Sequence, residues 1–106
     1  MFTFKTIGNK DRLEVILDGD LDIDGTEVVD NDLLPLLLKS NRVVINFKDV
    51  PFVDSSGMGL FMKIVQTLKE IEINVAVTNI KPDVYEVFEL LQIPDIVGKD
   101  VFEGSM

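Results

Sequence analysis

Residues 43–47 (VVINF) and 73–77 (INVAV) are short, largely β-branched runs without helical spacing, and both are expected to be buried strands. Each leads into a stretch whose apolar residues recur every three or four positions. That alternation constrains the fold more than any other feature of the chain. A strand that passes through a helix into another strand rejoins the sheet in parallel, and the crossover is right-handed. The first helical stretch is predicted over 57–70, with Phe61, Ile64, Val65, Leu68 and Ile71 on one face. The second opens at 79–82, with Pro82 suited to its first turn. Val84, Val87, Phe88 and Leu91 form its apolar stripe, and Pro94 lies just past its end.

The amino-terminal half reads differently. Residues 2–7 alternate apolar and polar, Gly8-Asn9-Lys10-Asp11 supplies turn chemistry, and 13–17 (LEVIL) forms a second strand. The pair predicts a hairpin with Leu13, Val15 and Leu17 facing the core. Residues 18–24 are an acidic loop broken by Gly19. Residues 26–39 have helical spacing through Val28, Val29, Leu33, Leu36 and Leu37. Pro35 interrupts that helix, because it lacks an N–H and clashes one turn back, so a kink or restart is expected near Leu34. The tail from Gly98 is weakly defined, with a short strand expected around Val101-Phe102. The order predicts one α/β domain over 1–106, with a mixed four- to five-stranded sheet and three to four helices.

Composition removes several functions. A chain of 106 residues supports one core, and 46% hydrophobic content is enough to build it. Cysteine and histidine are both absent. Thiolate metal sites, disulfides and the Ser–His–Asp arrangement therefore go, together with the usual base at neutral pH. No apolar run approaches the roughly 18 residues of a membrane span, and no secretion signal is visible, so a cytoplasmic protein is expected. The net charge of −9 repels nucleic acid and anionic membrane. A basic protein surface is the better partner, although the same charge also serves solubility.

Residues 52–61 (FVDSSGMGLF) hold the most unusual local pattern. They follow a buried strand, at the sheet edge where α/β proteins gather their binding sites. A serine is a favoured helix cap, and one would be enough. Two leave a hydroxyl spare, with Ser55 the one further from the helix. Gly57 and Gly59 each weaken the first turn by about 1 kcal/mol relative to alanine. Two readings stand at this point. Either a serine caps the helix and the glycines permit tight packing on the sheet, or another molecule must come close to this backbone.

The segment Val53-Asp54-Ser55-Ser56-Gly57-Met58-Gly59-Leu60 resembles the signature of bacterial anti-sigma factor antagonists, the STAS-domain family. Met58 stands where the family usually has leucine, a volume-conserving change. The preceding Val43-Val44-Ile45-Asn46-Phe47 with Asp49-Val50 is similar to the family's strand and turn. Asp20-Leu21-Asp22 is similar to an earlier family segment. Lys81-Pro82, Phe88-Glu89-Leu90-Leu91 and Ile96-Val97 resemble its last helix and closing strand. The resemblance implies a binding module rather than an enzyme, with no cofactor. Its partner would be an anti-sigma factor with serine kinase activity, which the unmodified protein binds so that a sigma factor is freed. Phosphorylation would fall on Ser55 and end the binding, and a serine phosphatase would restore it. Asp54, Ser56, Gly57, Met58 and Gly59 complete the motif. Apart from the resemblance, Asp22 is a secondary contact candidate through its charge, and Met62, one turn from Met58, is either core filler or part of a contact patch beside Ser55.

Competing patterns are weaker. Asp20-Leu21-Asp22-Ile23-Asp24-Gly25 matches the first half of a calcium loop, but Asn31 stands where a bidentate glutamate is required, so a solvated acidic loop is expected instead. Neither G-x-S-x-G, S-x-x-K nor a phosphate-cradling G-x-x-x-x-G-K occurs. The remaining rival is a STAS module of a lipid-transport or stress-signalling complex that does not use a phospho-switch.

Overall fold

Strands β1 (Thr3–Gly8) and β2 (Leu13–Asp18) form the expected antiparallel hairpin, with Phe4 opposite Leu17 and Thr6 opposite Val15. The structure, a computed structural model, describes residues 2–102. Strand β3 (Arg42–Asp49) lies parallel to β2, and β4 (Asn74–Thr78) lies parallel to β3, so the sheet order is β1-β2-β3-β4. Among the described residues four helices accompany the sheet: α1 over 26–37, α2 (Ser55–Glu70), α3 (Pro82–Leu90) and α4 (Ile93–Val97).

The order never reverses. Two right-handed crossovers stepping the same way, β2-α1-β3 and β3-α2-β4, drop their helices on the same face of the sheet. Side-chain alternation agrees. Leu13, Val15, Leu17, Val43, Ile45, Phe47, Val75 and Val77 share one core with helix residues such as Leu33, Leu37, Ile64 and Leu68. Within that core Phe88 meets Phe47 edge-on at 5.7 Å, Phe61 at 5.0 Å and Phe102 edge-on at 5.5 Å. These rings tie β3, α2, α3 and the carboxyl-terminal turn together, each pair adding about 1 kcal/mol beyond its buried area. Asn46 points to the opposite face and is still buried. Its Nδ2 donates to Glu14 at 3.0 Å, and its Oδ1 accepts from the Lys48 N–H at 2.9 Å and the Asn79 amide at 3.2 Å. A buried amide with all these partners carries little penalty.

Helix α1 absorbs Pro35 without stopping. Residues Val29–Leu33 form a wide turn in which the Leu34 N–H reaches the Val29 carbonyl, five residues back. The widening accommodates a proline ring that would clash in a regular helix, and Leu34–Leu37 continues with Pro35 in its first turn. The disturbance expected near Leu34 is therefore a widened turn. Val29, Leu33 and Leu37 stay buried through it.

The tail departs from expectation. No strand forms at Val101-Phe102; Lys99–Phe102 is a 3-10 turn that buries both residues beside β4. Nor do Ile96-Val97 close the sheet, because they end α4. Ile93 and Val97 are buried while Ile96 is exposed, which is helical spacing in a stretch too short to reveal its period. Gln92 (φ 58°) and Gly98 (φ 106°) turn the chain into and out of α4. The Lys69 ammonium closes that helix by donating to the Val97 carbonyl at 2.6 Å. Strand β4 is also less buried than its sequence implied. Among the described residues it pairs with β3 alone, and of its own residues Val75 and Val77 face inward.

Candidate functional site

The loops leaving β2 and β3 run side by side. The Gly19 N–H donates to the Asp49 carbonyl at 3.0 Å, and the Leu21 N–H donates to the Phe52 carbonyl at 3.0 Å. Leu21 and Val53 form an isolated parallel bridge, and both side chains are buried. The first turn of α2 rises directly from this double strand.

Asp54 is the cap of α2. Its backbone is extended, its carboxylate accepts the Gly57 N–H at 2.8 Å, and its carbonyl accepts the Met58 N–H at 2.9 Å. A serine cap, one of the two sequence readings, is thus excluded. An aspartate caps as well as serine and adds a favourable charge at the positive end of the helix. Ser55 and Ser56 become the first two helical residues. Both are exposed, and among the described residues neither hydroxyl has a hydrogen-bond partner.

The two glycines have different reasons. A Cβ on Gly57 would lie 1.8 Å from the Leu21 carbonyl oxygen, so the crossing of loop over helix requires hydrogen there. Gly59 is exposed, and a Cβ built on it meets nothing within 4 Å. At 100° per residue Gly59 falls between Ser55 and Ser56, one turn further along. The three residues make a low outward surface. Gly57 and Met58, included in the motif as partner-binding residues, are buried, so they support this surface from beneath. Met62 is partly buried against the core. Asp22 caps its own turn, Ile23–Gly25, by accepting the Asp24 N–H at 3.0 Å. Among the described residues no three acidic side chains converge as a metal would need.

Sequence reasoning passed over two neighbours. Phe52 and Ile23 stand in the paired loops with 52% and 65% of their surface exposed. No local pattern marks Phe52: that nearby Val50 and Val53 are buried while the ring between them is exposed is visible only in the fold.

Chemically, this edge offers free hydroxyls at the positive end of a sixteen-residue helix. It tolerates an added anion. Among the described residues neither hydroxyl is hydrogen-bonded to a base that could activate it.

Fold and site together define a small α/β domain built on one mixed sheet, with helices on one face and an exposed serine pair at a helix start. The chain belongs to the STAS domain family, whose profile matches residues 4–104. It is 25% identical over 89 residues to the anti-sigma-B factor antagonist of Bacillus subtilis (strain 168), covering 84% of this chain and 82% of that protein. The anti-sigma factor antagonist SpoIIAA in its unphosphorylated form superposes with a TM-score of 0.65 at 22% identity, over 85% of this chain and 83% of SpoIIAA. The phosphorylated form of SpoIIAA from Bacillus superposes with 0.66 at 19% identity, over 90% and 86%. Among the described residues no helix is long and apolar enough to cross a membrane.

Proposed function

We propose that this chain is a cytoplasmic anti-sigma factor antagonist whose partner is an anti-sigma factor with serine kinase activity. With Ser55 unmodified, the two bind and a sigma factor is released for transcription. Phosphorylation of Ser55 ends the binding, and a serine phosphatase resets it. The domain is a substrate of those enzymes and catalyses nothing itself. One observation carries this reading: Asp54 takes the capping role and leaves the Ser55 hydroxyl exposed and unbonded at the helix start.

The energetics support a switch at that position. A phosphate adds about −1.5 to −2 charges. The helix terminus accepts them, so the fold survives. That this chain matches both forms of SpoIIAA with nearly equal TM-scores, 0.65 and 0.66, supports a modification that leaves the fold intact. The loss falls on a contact shaped for a small neutral hydroxyl. Emptying a nearly full complex needs about 5 kcal/mol of differential affinity, which desolvating a dianion can supply.

The test is incubation with the anti-sigma kinase and ATP, followed by peptide mass spectrometry and binding measurements. Phosphate is expected on Ser55. Ser55→Ala should block modification and keep binding, and Ser55→Asp should weaken binding. Phosphate on Ser56 alone would move the switch by one residue. A STAS module without a phospho-switch would take up none.

A further inference from the structure

All the phenylalanines of the chain fall among the described residues, and Phe52 is the one that is exposed. Its carbonyl is fixed by the Leu21 N–H, and the nearby Val50 and Val53 side chains are buried while the ring faces outward. Ile23 emerges from the adjoining loop and is more exposed still. Large apolar side chains scattered singly on a surface need no explanation. Two carried by loops paired backbone to backbone, one of which runs directly into the exposed serine pair, stand on the same edge of the sheet, where an interface would use them. Around them Asp18, Asp20, Asp22, Asp24, Asp49 and Asp54 stand against a single base, Lys48, in the segments 18–25 and 48–54.

We propose that Phe52 and Ile23 are the apolar anchors of the docking edge, and that the surface they enter is an apolar hollow rimmed by lysine and arginine. This rests on the anti-sigma reading above, and it names what that partner must present. Charge selects the occupant. A second copy would bring the same acidic edge against itself, whereas a basic rim is drawn in and oriented before contact. Aromatic and aliphatic anchors then hold the complex once water is expelled, so they govern its dissociation. Steering and holding are thereby divided between different residues of one edge.

The experiment measures association and dissociation rates with the purified anti-sigma factor of the same organism. It uses the native chain, Phe52→Ala, Ile23→Ala, Phe52→Leu and, as a control on a distant exposed residue, Leu90→Ala. Phe52→Ala and Ile23→Ala should each weaken binding about tenfold, mainly through faster dissociation, with melting temperatures unchanged. Phe52→Leu should recover much of the loss, and Leu90→Ala should bind as the native chain does. Raising salt from about 0.05 M to 0.3 M should slow association several-fold in every variant. Native-like dissociation in both alanine variants, or association indifferent to salt, would overturn the proposal. A native chain that does not bind at all would instead remove the anti-sigma reading on which it rests.

Discussion

At the scale of single residues, the two glycines of the motif separate an internal requirement from an external one. Gly57 is held by geometry, since any side chain there drives into the Leu21 carbonyl. Gly57→Ala should destabilise the fold by about 2 kcal/mol, because a backbone atom has to yield and overpacking outweighs the gain in helix propensity. Gly59 is under no such constraint. Gly59→Ala should stabilise the isolated domain by up to about 1 kcal/mol, raising the melting temperature by roughly 4–8 °C. A methyl group at that position stands between the two serines, so affinity for the anti-sigma factor should fall as stability rises. Thermal melts paired with binding isotherms on both variants read the two effects. An alanine at 59 that improved stability and left binding intact would show that the bare surface has no docking role.

At the scale of an element, helix α2 shows why the cap's identity matters for function. Were a serine the cap, its hydroxyl would be committed to a backbone N–H and less free to enter another molecule's active site. With Asp54 in that role, cap and hydroxyl are independent. Denaturant titration should therefore find that Asp54→Ala costs about 1 kcal/mol, while Ser55→Ala and Ser56→Ala each change stability by less than about 0.5 kcal/mol. Equal losses from Asp54 and Ser55 variants would contradict the observed capping. Helix α1 makes a related point. Its wide turn at Val29–Leu33 lets Pro35 sit in a helix whose Val29, Leu33 and Leu37 still reach the core. Lys63 of α2 pairs with Asp30 from that turn, an exposed contact that orients the two helices more than it stabilises them.

At the scale of the molecule, one end of the strands is more acidic than the other. The carboxyl edge of β2 and β3 carries the aspartates around the serines. The opposite end mixes signs, with Lys10, Arg12, Lys39 and Arg42 beside Asp11, Glu70 and Glu72, all exposed. The loops at that end are tied by the buried Ser40 hydroxyl, which donates to the Lys10 carbonyl at 3.1 Å and the Arg42 carbonyl at 2.9 Å. A phosphate added to the acidic edge meets repulsion from its neighbours and attraction from the helix terminus, and these oppose one another. The phosphorylated domain should thus melt within about 4 °C of the unmodified one, the shift shrinking further in high salt. Calorimetry of the two forms checks this. A collapse of the fold on modification would mean that the switch works by unfolding rather than by an altered surface.

Much of this was determined by the sequence alone, for a physical reason. Strand and helix periodicities are local, so the hairpin, the parallel strands and helices α1 to α3 were all legible in runs of a few residues. The motif around Ser55 was legible too, because small residues and an aspartate before a helix leave a compositional mark. Ile93 and Val97 were not, because a five-residue helix repeats too few times to show its period. Which residue caps α2, why Gly57 differs from Gly59, and how Phe52 came to be exposed were decided by tertiary structure. Each depends on the loop after β2 lying against the loop after β3, a contact between segments about thirty residues apart that no local pattern encodes.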